Sequence, residues 1–450
     1  MSALARLLGD LLHRVRGRDT ERSAARTPDA AEAGALFQRC VQLSKNAGAD
    51  AAADCYGRLL HLDPSHAKAH NNLGVLHQRR GDFQAAARCF EDAARFDPAL
   101  SEPHVNLGNL HDIRGDPDRA VSCYRRALQI DPGYAHAHCC LAQALLATGR
   151  YEEGWEEFEW RWRGEDASLR LPPFPQPLWD GSQDIAGKRV LLHAEQGYGD
   201  GIQFIRYAPL LAARGARVVA LCDPALAALF RSVPGVESVG EPGEPLAEFD
   251  YHAPLMSLPR AFRTTVTTIP APIPYVAPDP AAVATWRTRL SAHPAPLKVG
   301  LAWAGRPTFV AAAMKASPLN ELAPLADTPG CDFFSLQKGE AAADLREPGA
   351  WRGRITDYTA DLHDFGDTAA LVAALDLVIS IDTAAAHLAG ALGKPVWLLL
   401  AAVPDWRWLP RAGALAWYPT ATLFRQSTEG DWKSVVEEVR TALVERASAA

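Results

Sequence analysis

With 450 residues, 48% hydrophobic and 22% charged, the chain has the makeup of an ordinary globular protein long enough for two or three domains. A formal net charge of −7 speaks against a nucleic-acid partner held in a basic groove. No apolar run approaches the roughly 18 residues of a membrane span, and the eight cysteines contain no Cys-x-x-Cys pair, so neither a disulfide framework nor a zinc site is indicated and a cytoplasmic location is expected.

Residues 1–32 form an N-terminal amphipathic or flexible segment. Leu4, Leu7, Leu8, Leu11, Leu12 and Val15 recur at helical spacing, with Arg6, Arg14, Arg16 and Arg18 between them. Without a continuous apolar stretch or a small-residue cleavage site, this is not a secretory signal. Packing on the protein is expected, with membrane contact through residues 1–18 as the alternative.

From residue 33 to 165 one pattern returns every 34 residues. Leu73-Gly74 is followed by Leu107-Gly108, Gly81-Asp82 by Gly115-Asp116, Ala86 by Ala120 and Phe90 by Tyr124. Asp63-Pro64, Asp97-Pro98 and Asp131-Pro132 close successive units. Small residues let two helices approach, aromatics wedge between them, and Asp-Pro breaks the chain. Three clear units (33–66, 67–100, 101–134) precede a degenerate fourth (135–165). Its Trp155, Trp160 and Trp162 read as an interface to the next domain. Cys55, Cys89 and Cys123 share one slot of the repeat and read as small core residues. His70, His104 and His138 share another and read as packing or surface residues. The interval and residue types resemble the tetratricopeptide repeat, which implies an all-α superhelix with a concave surface. Asn72 and Asn106 occupy equivalent positions on first helices. Resemblance to the tetratricopeptide arrays of protein glycosyltransferases implies that they line an acceptor groove; a local structural role is the competing reading.

A proline-rich stretch, LPPFPQP (171–177), leads into the first of two α/β halves, 170–276. Arg189–Ala194 reads as a buried strand, EQGYGDG (195–201) as a glycine-rich loop, Ile202–Ala213 as a helix and Arg217–Leu221 as a strand. The loop is neither a dinucleotide fingerprint nor a Walker loop. Glu195 and Asp200 lie at the carboxyl end of the first strand, where α/β sheets bind ligands. Asp200 is either the helix N-cap or a general base for an acceptor hydroxyl.

A second proline-rich stretch (269–280) separates the other half, 280–450. A helix near Ala281, a strand at Lys298–Trp303, the loop 304–319 and a strand at Phe333–Gln337 come first, with Lys338 at the carboxyl edge. LDLVISIDTAAAHLAGALGKPVWLLL (375–400) then reads as strand, short helix, strand. Asp382-Thr383 starts that helix, and Gly393 and Pro395 end it. His387 lies one turn beyond Thr383, on the same face, so an acid, a hydroxyl and an imidazole converge on one helix mouth. Trp406, Trp408 and Trp417 are available either to stack on a base or to pack a core. A helix from Asp431 to about Arg446 closes the chain.

Two open α/β halves with facing carboxyl edges resemble a GT-B glycosyltransferase. GYGD in the first half and S-x-D-T-A-x-x-H-L-A-G in the second resemble the ADP-heptose:lipopolysaccharide heptosyltransferase superfamily. Together with the repeats, EGWEEFEWRW, SLQKG and PDWRW are similar to bacterial tetratricopeptide glycosyltransferases, some of which glycosylate flagellin. The resemblance implies an all-α tetratricopeptide superhelix followed by a GT-B domain of two Rossmann-like halves. It implies that Asp200 is the base of an inverting transfer and that Gly199, Lys315, Gln337, Lys338, Asp382, Thr383, Ala384 and His387 hold a nucleotide-sugar through its diphosphate. Neither metal nor cofactor is expected beyond that co-substrate. The acceptor is expected to be a protein hydroxyl recruited by the repeats. One departure stands out. The loop that usually reads G-N-P-x-H-x-x-D-x-x-R-S here has Phe309, Ala312, Lys315 and Ala316 at the His, Asp, Arg and Ser positions. That departure leaves open a non-catalytic scaffold in which the α/β domain is degenerate.

Overall fold

The computed structural model describes residues 28–46, 48–164, 170–270, 272–305, 319–347, 349–409 and 414–449. It divides into two compact units, 2–148 with 156–167 and 149–155 with 168–450. The amphipathic segment 1–18 and most of the 304–319 loop lie outside the described residues.

The first unit is an array of antiparallel helix pairs. Pro28–Asn46 pairs with Ala49–Leu62, Ala67–Arg79 with Phe83–Phe96, and Glu102–Ile113 with Pro117–Ile130, followed by Ala135–Ala147. Each element of the repeat has a physical task. Gly81 and Gly115 turn the chain with φ of 78° and 71°, and the next residues, Asp82 and Asp116, cap the second helices by accepting from Ala85 and Arg119 N–H. Gly74 is required because a β-carbon there would meet the Phe90 ring at 2.6 Å. Phe90 and Tyr124 are fully buried between their paired helices.

The expectation about cysteines is corrected here. Cys40 and Cys55 are joined by a disulfide linking the two helices of the first pair. The repeat itself supplies the reason. Cys40 stands 34 residues before Gly74, and Cys55 the same distance before Cys89. A β-carbon on Gly74 would lie 3.1 Å from that of Cys89. In the first unit the glycine slot carries Cys40, so two sulfurs meet where later units have one; Cys89 and Cys123 are free thiols. His138 packs as expected, stacked on Trp160 with ring centroids 3.7 Å apart and bonded to Glu157.

The second unit holds two wholly parallel sheets. One contains β1 (Arg189–His193), β2 (Arg217–Leu221), β3 (Val236–Gly240) and β4 (Tyr251–Pro254) in the order β3-β2-β1-β4. The other contains β5 (Leu297–Ala302), β6 (Cys331–Ser335), β7 (Ile355–Thr356), β8 (Leu377–Ile381), β9 (Val396–Leu400) and β10 (Ala421–Arg425) in the order β10-β9-β8-β5-β6-β7. Parallel strands covered on both faces require near-continuous apolar runs, and β8 and β9 are buried at every position. These are the two Rossmann-like halves that the GT-B resemblance implied.

Candidate active site

In each sheet the chain leaves its first strand on one side and later returns on the other. β1 lies between β2 and β4, and β5 between β6 and β8. At such switch points the loops beyond the carboxyl ends diverge and open a crevice. The segments so placed are 194–197 after β1, 303–305 after β5, and Asp382-Thr383 after β8.

The segment after β1 departs from the expected loop. Gln196 adopts a left-handed φ of 63° and the helix begins at Tyr198, not Ile202, so Gly199 and Gly201 are helical. Asp200 is therefore the third helical residue, not the N-cap. One carboxylate oxygen reaches back to accept from Gly197 N–H at 3.2 Å, as the acid of a capping box does. The other accepts from the Arg407 guanidinium at 2.7 Å. Asp200 is 6% exposed and Arg407 4%. Burial presses the Asp200 carboxyl toward its neutral form, and the adjacent Arg407 cation presses it toward the ionised one. Arg407 also donates to Asp405 at 2.9 Å and, through Nε, to Gln203 at 2.7 Å.

Beyond β8, Thr383 is the N-cap of the helix Ala384–Ala391, yet its side chain makes no capping hydrogen bond. Its hydroxyl pairs with that of Ser380 at 2.9 Å instead, so neither side chain occupies the N–H groups of the first turn opened by Ala384. His387 is buried, with Nδ1 2.9 Å from the Tyr418 hydroxyl and Nε2 3.8 Å from Asp382, too long for a hydrogen bond. Burial lowers its pKa to about 4, against an upward pull from Asp382, so the ring is neutral at pH 7. The edge of that ring lies over Gly199. The GYGD and D-T-A-x-x-H motifs therefore touch.

Two expected ligand residues are engaged within the protein. The Gln337 amide accepts from Trp303 and Ala304 N–H at 3.0 and 2.8 Å and donates to the Ala304 and Lys338 carbonyls, which fixes the chain as it leaves β5. Lys338 donates to the carbonyls of Thr359 and Leu362. Gly199 serves the His387 contact. Lys315 lies outside the described residues. In the repeat unit, Asn72 donates to Tyr56 at 3.0 Å, while Asn106 is 1% exposed and donates to Asn71 at 2.8 Å. Asn106 is thus engaged between neighbouring repeats, and the expected role on an open groove does not hold for it.

Sequence reasoning missed Arg407, Asp405, Gln203, Tyr418 and Arg206. Trp406, Trp408 and Trp417 turn out to be buried, at 6%, 1% and 0%, and pack as core, the first and last with Tyr151 and the second with His387 and Tyr418. Within PDWRW the arginine carries the polar contacts. Arg206, also buried, donates to the carbonyls of Gln203 and Trp417 at 2.9 Å each and to the Tyr275 hydroxyl at 3.0 Å. The available signal was a short one: an Asp two residues before an Arg, inside an aromatic run.

Family models for the tetratricopeptide repeat match residues 43–101, 101–134 and 123–156, so the first unit is a tetratricopeptide array. Protein FlbA of Caulobacter vibrioides is 34% identical over a 329-residue alignment that covers 67% of this chain and 54% of that protein. The chain thus spans about half the length of the curated relative it matches. Among solved structures, the Escherichia coli ADP-heptose lipopolysaccharide heptosyltransferase II aligns at 13% identity over 57% of this chain and 99% of its own, with a TM-score of 0.44. A family 9 glycosyl transferase of Veillonella parvula aligns at 12% identity over 60% and 100%, with a TM-score of 0.45.

Proposed function

We propose that the α/β unit is a metal-independent, inverting glycosyltransferase that moves a sugar from a nucleotide-sugar onto a hydroxyl of a protein gathered by the repeats, a flagellin-type protein among the candidates. The observation that carries this reading is the meeting of the two switch-point segments, with Gly199 and Asp200 from one beside His387 and Asp382 from the other. The first-turn N–H groups at Ala384 suit the donor diphosphate, and the neutral His387 adds a donor or acceptor without adding charge. Asp200 takes the proton of the acceptor hydroxyl while the hydroxyl oxygen attacks the anomeric carbon. The bond from that carbon to the diphosphate breaks on the opposite face, and the electron pair leaves with the nucleotide. Asp200 and Asp405 already bind the Arg407 guanidinium, so a diphosphate needs a further cation here, and Lys315 is the residue the resemblance offers.

Incubation with a panel of nucleotide-sugars and protein acceptors, read by intact mass, tests the proposal. Transfer that persists unchanged in Asp200→Ala removes Asp200 as the base. The replaced residues of the 305–317 loop favour a second reading in which the unit is a non-catalytic scaffold. Calorimetry with nucleoside diphosphates separates the two, since a scaffold shows no binding.

A further inference from the structure

Three separate polar partners hold Arg407 by three different nitrogens, and two of those partners are carboxylates. Its Nη2 donates to Asp200 at 2.7 Å, Nη1 to Asp405 at 2.9 Å and Nε to Gln203 at 2.7 Å. Asp405 is fixed in turn, because the same oxygen caps the short turn Trp406–Trp408 by accepting from Arg407 N–H at 3.2 Å. Gln203 is fully buried one helical turn beyond Asp200. A planar guanidinium held at three corners has no rotational freedom left, and a lysine could not reproduce the fork.

We infer that Arg407 is a positioning residue for Asp200, and that Asp405 and Gln203 hold it to that task. This rests on the reading of Asp200 as the base. Arg407 on one carboxylate oxygen and Gly197 N–H on the other fix the plane of the carboxylate. The second carboxylate explains how a base can work against a buried cation. When Asp200 accepts the proton of the acceptor hydroxyl it becomes neutral, and the proton stays on Asp200 until solvent removes it. Arg407 is not stranded in that state, because Asp405 still balances its charge. A pair that served only to tie two segments together would need one carboxylate, not two.

The test compares wild type with Arg407→Gln, Arg407→Lys and Asp405→Asn, using whichever nucleotide-sugar the panel shows to be consumed. Loss of the cation raises the pKa of the Asp200 carboxyl, so Arg407→Gln moves the acidic limb of the kcat/KM profile upward by about one pH unit or more. Asp405→Asn removes a neighbouring negative charge and moves that limb downward. Arg407→Lys retains the limb near its wild-type position but lowers kcat roughly tenfold or more with little change in donor KM. A merely structural role would reduce the folded fraction and leave the limb in place for every variant, and that result overturns the inference. A second measurement needs no catalysis. If Asp200 and Arg407 are partners, the thermal midpoint of Asp200→Asn with Arg407→Gln lies no lower than that of the worse single variant, and additive losses overturn the pairing. Absence of transfer from wild type with every donor, alongside non-additive midpoints, sinks the glycosyltransferase reading while upholding the contact.

Discussion

The His387 ring occupies the space that a β-carbon on Gly199 would need, with Cδ2 at 2.7 Å from that position. A ring carried by the helix after β8 therefore dictates a glycine in the helix after β1. Gly199→Ala should destabilise the α/β unit by about 1–3 kcal/mol, the usual cost of overpacking. Truncating the ring relieves the clash, so Gly199→Ala with His387→Ala should unfold in urea at the same midpoint as His387→Ala alone. An unchanged midpoint for Gly199→Ala by itself would mean the two motifs do not touch.

His387 also fixes a pH dependence. Burial, its leading cause, holds the folded-state pKa at about 4, below the ordinary value of 6.5. The unfolded chain then binds the proton more readily between these values. The His387 contribution is constant above pH 6.5 and is lost as pH falls from 6.5 toward 4, by on the order of 1–3 kcal/mol. Denaturant titrations at pH 7 and pH 4.5 should show this loss in wild type and a shallower one in His387→Asn.

Asp112 in the repeat array carries the opposite sign. Burial raises its pKa to about 7, although a hydrogen bond from Tyr124 at 2.6 Å opposes the rise. The folded state holds the proton more tightly than the unfolded one, so this contribution is present below the ordinary value of 3.8 and lost as pH rises through 7. Asp112→Asn should therefore raise the thermal midpoint of the array at pH 8, by about 1 kcal/mol or more in free energy, and should gain nothing at pH 4. Equal shifts at the two pH values would refute the assignment.

The disulfide of Cys40 and Cys55 closes a short loop, with a sequence separation of 15. Chain-entropy arithmetic for such a loop gives about 3 kcal/mol of stabilisation. Reductant should speed tryptic cleavage within 28–62 in wild type, whereas Cys40→Ala should be cleaved equally fast with and without it. Protection that is indifferent to reductant in both proteins would rule this out.

The repeat was readable because a helix pair repeats its glycines, aromatics and Asp-Pro breaks in fixed places, and local spacing is what sequence records best. β5, β8 and β9 were readable for the same reason, as apolar runs between breakers. Pairings across long separations were not. Arg407 meets Asp200 over 207 positions, and nothing near either residue announces the other. The helix start at Tyr198 was missed because Gly199 and Gly201 suggest a loop. They are glycines for packing: a β-carbon on Gly201 would sit 3.0 Å from Leu226. Cys40 stands in register with a glycine and not with another cysteine, so the repeat pattern does not announce its pairing.

Arg206 has evolutionary consequences. Its guanidinium sits in the first sheet's half but is satisfied by the Trp417 carbonyl and by Tyr275, which lies in the connection between the halves and itself donates to the Ile202 carbonyl at 3.0 Å. Gene shuffling with a breakpoint at 269–280 would hand a distant homologue's second half a buried cation it was never selected to receive. The two α/β halves thus share one buried polar network and are not freely exchangeable.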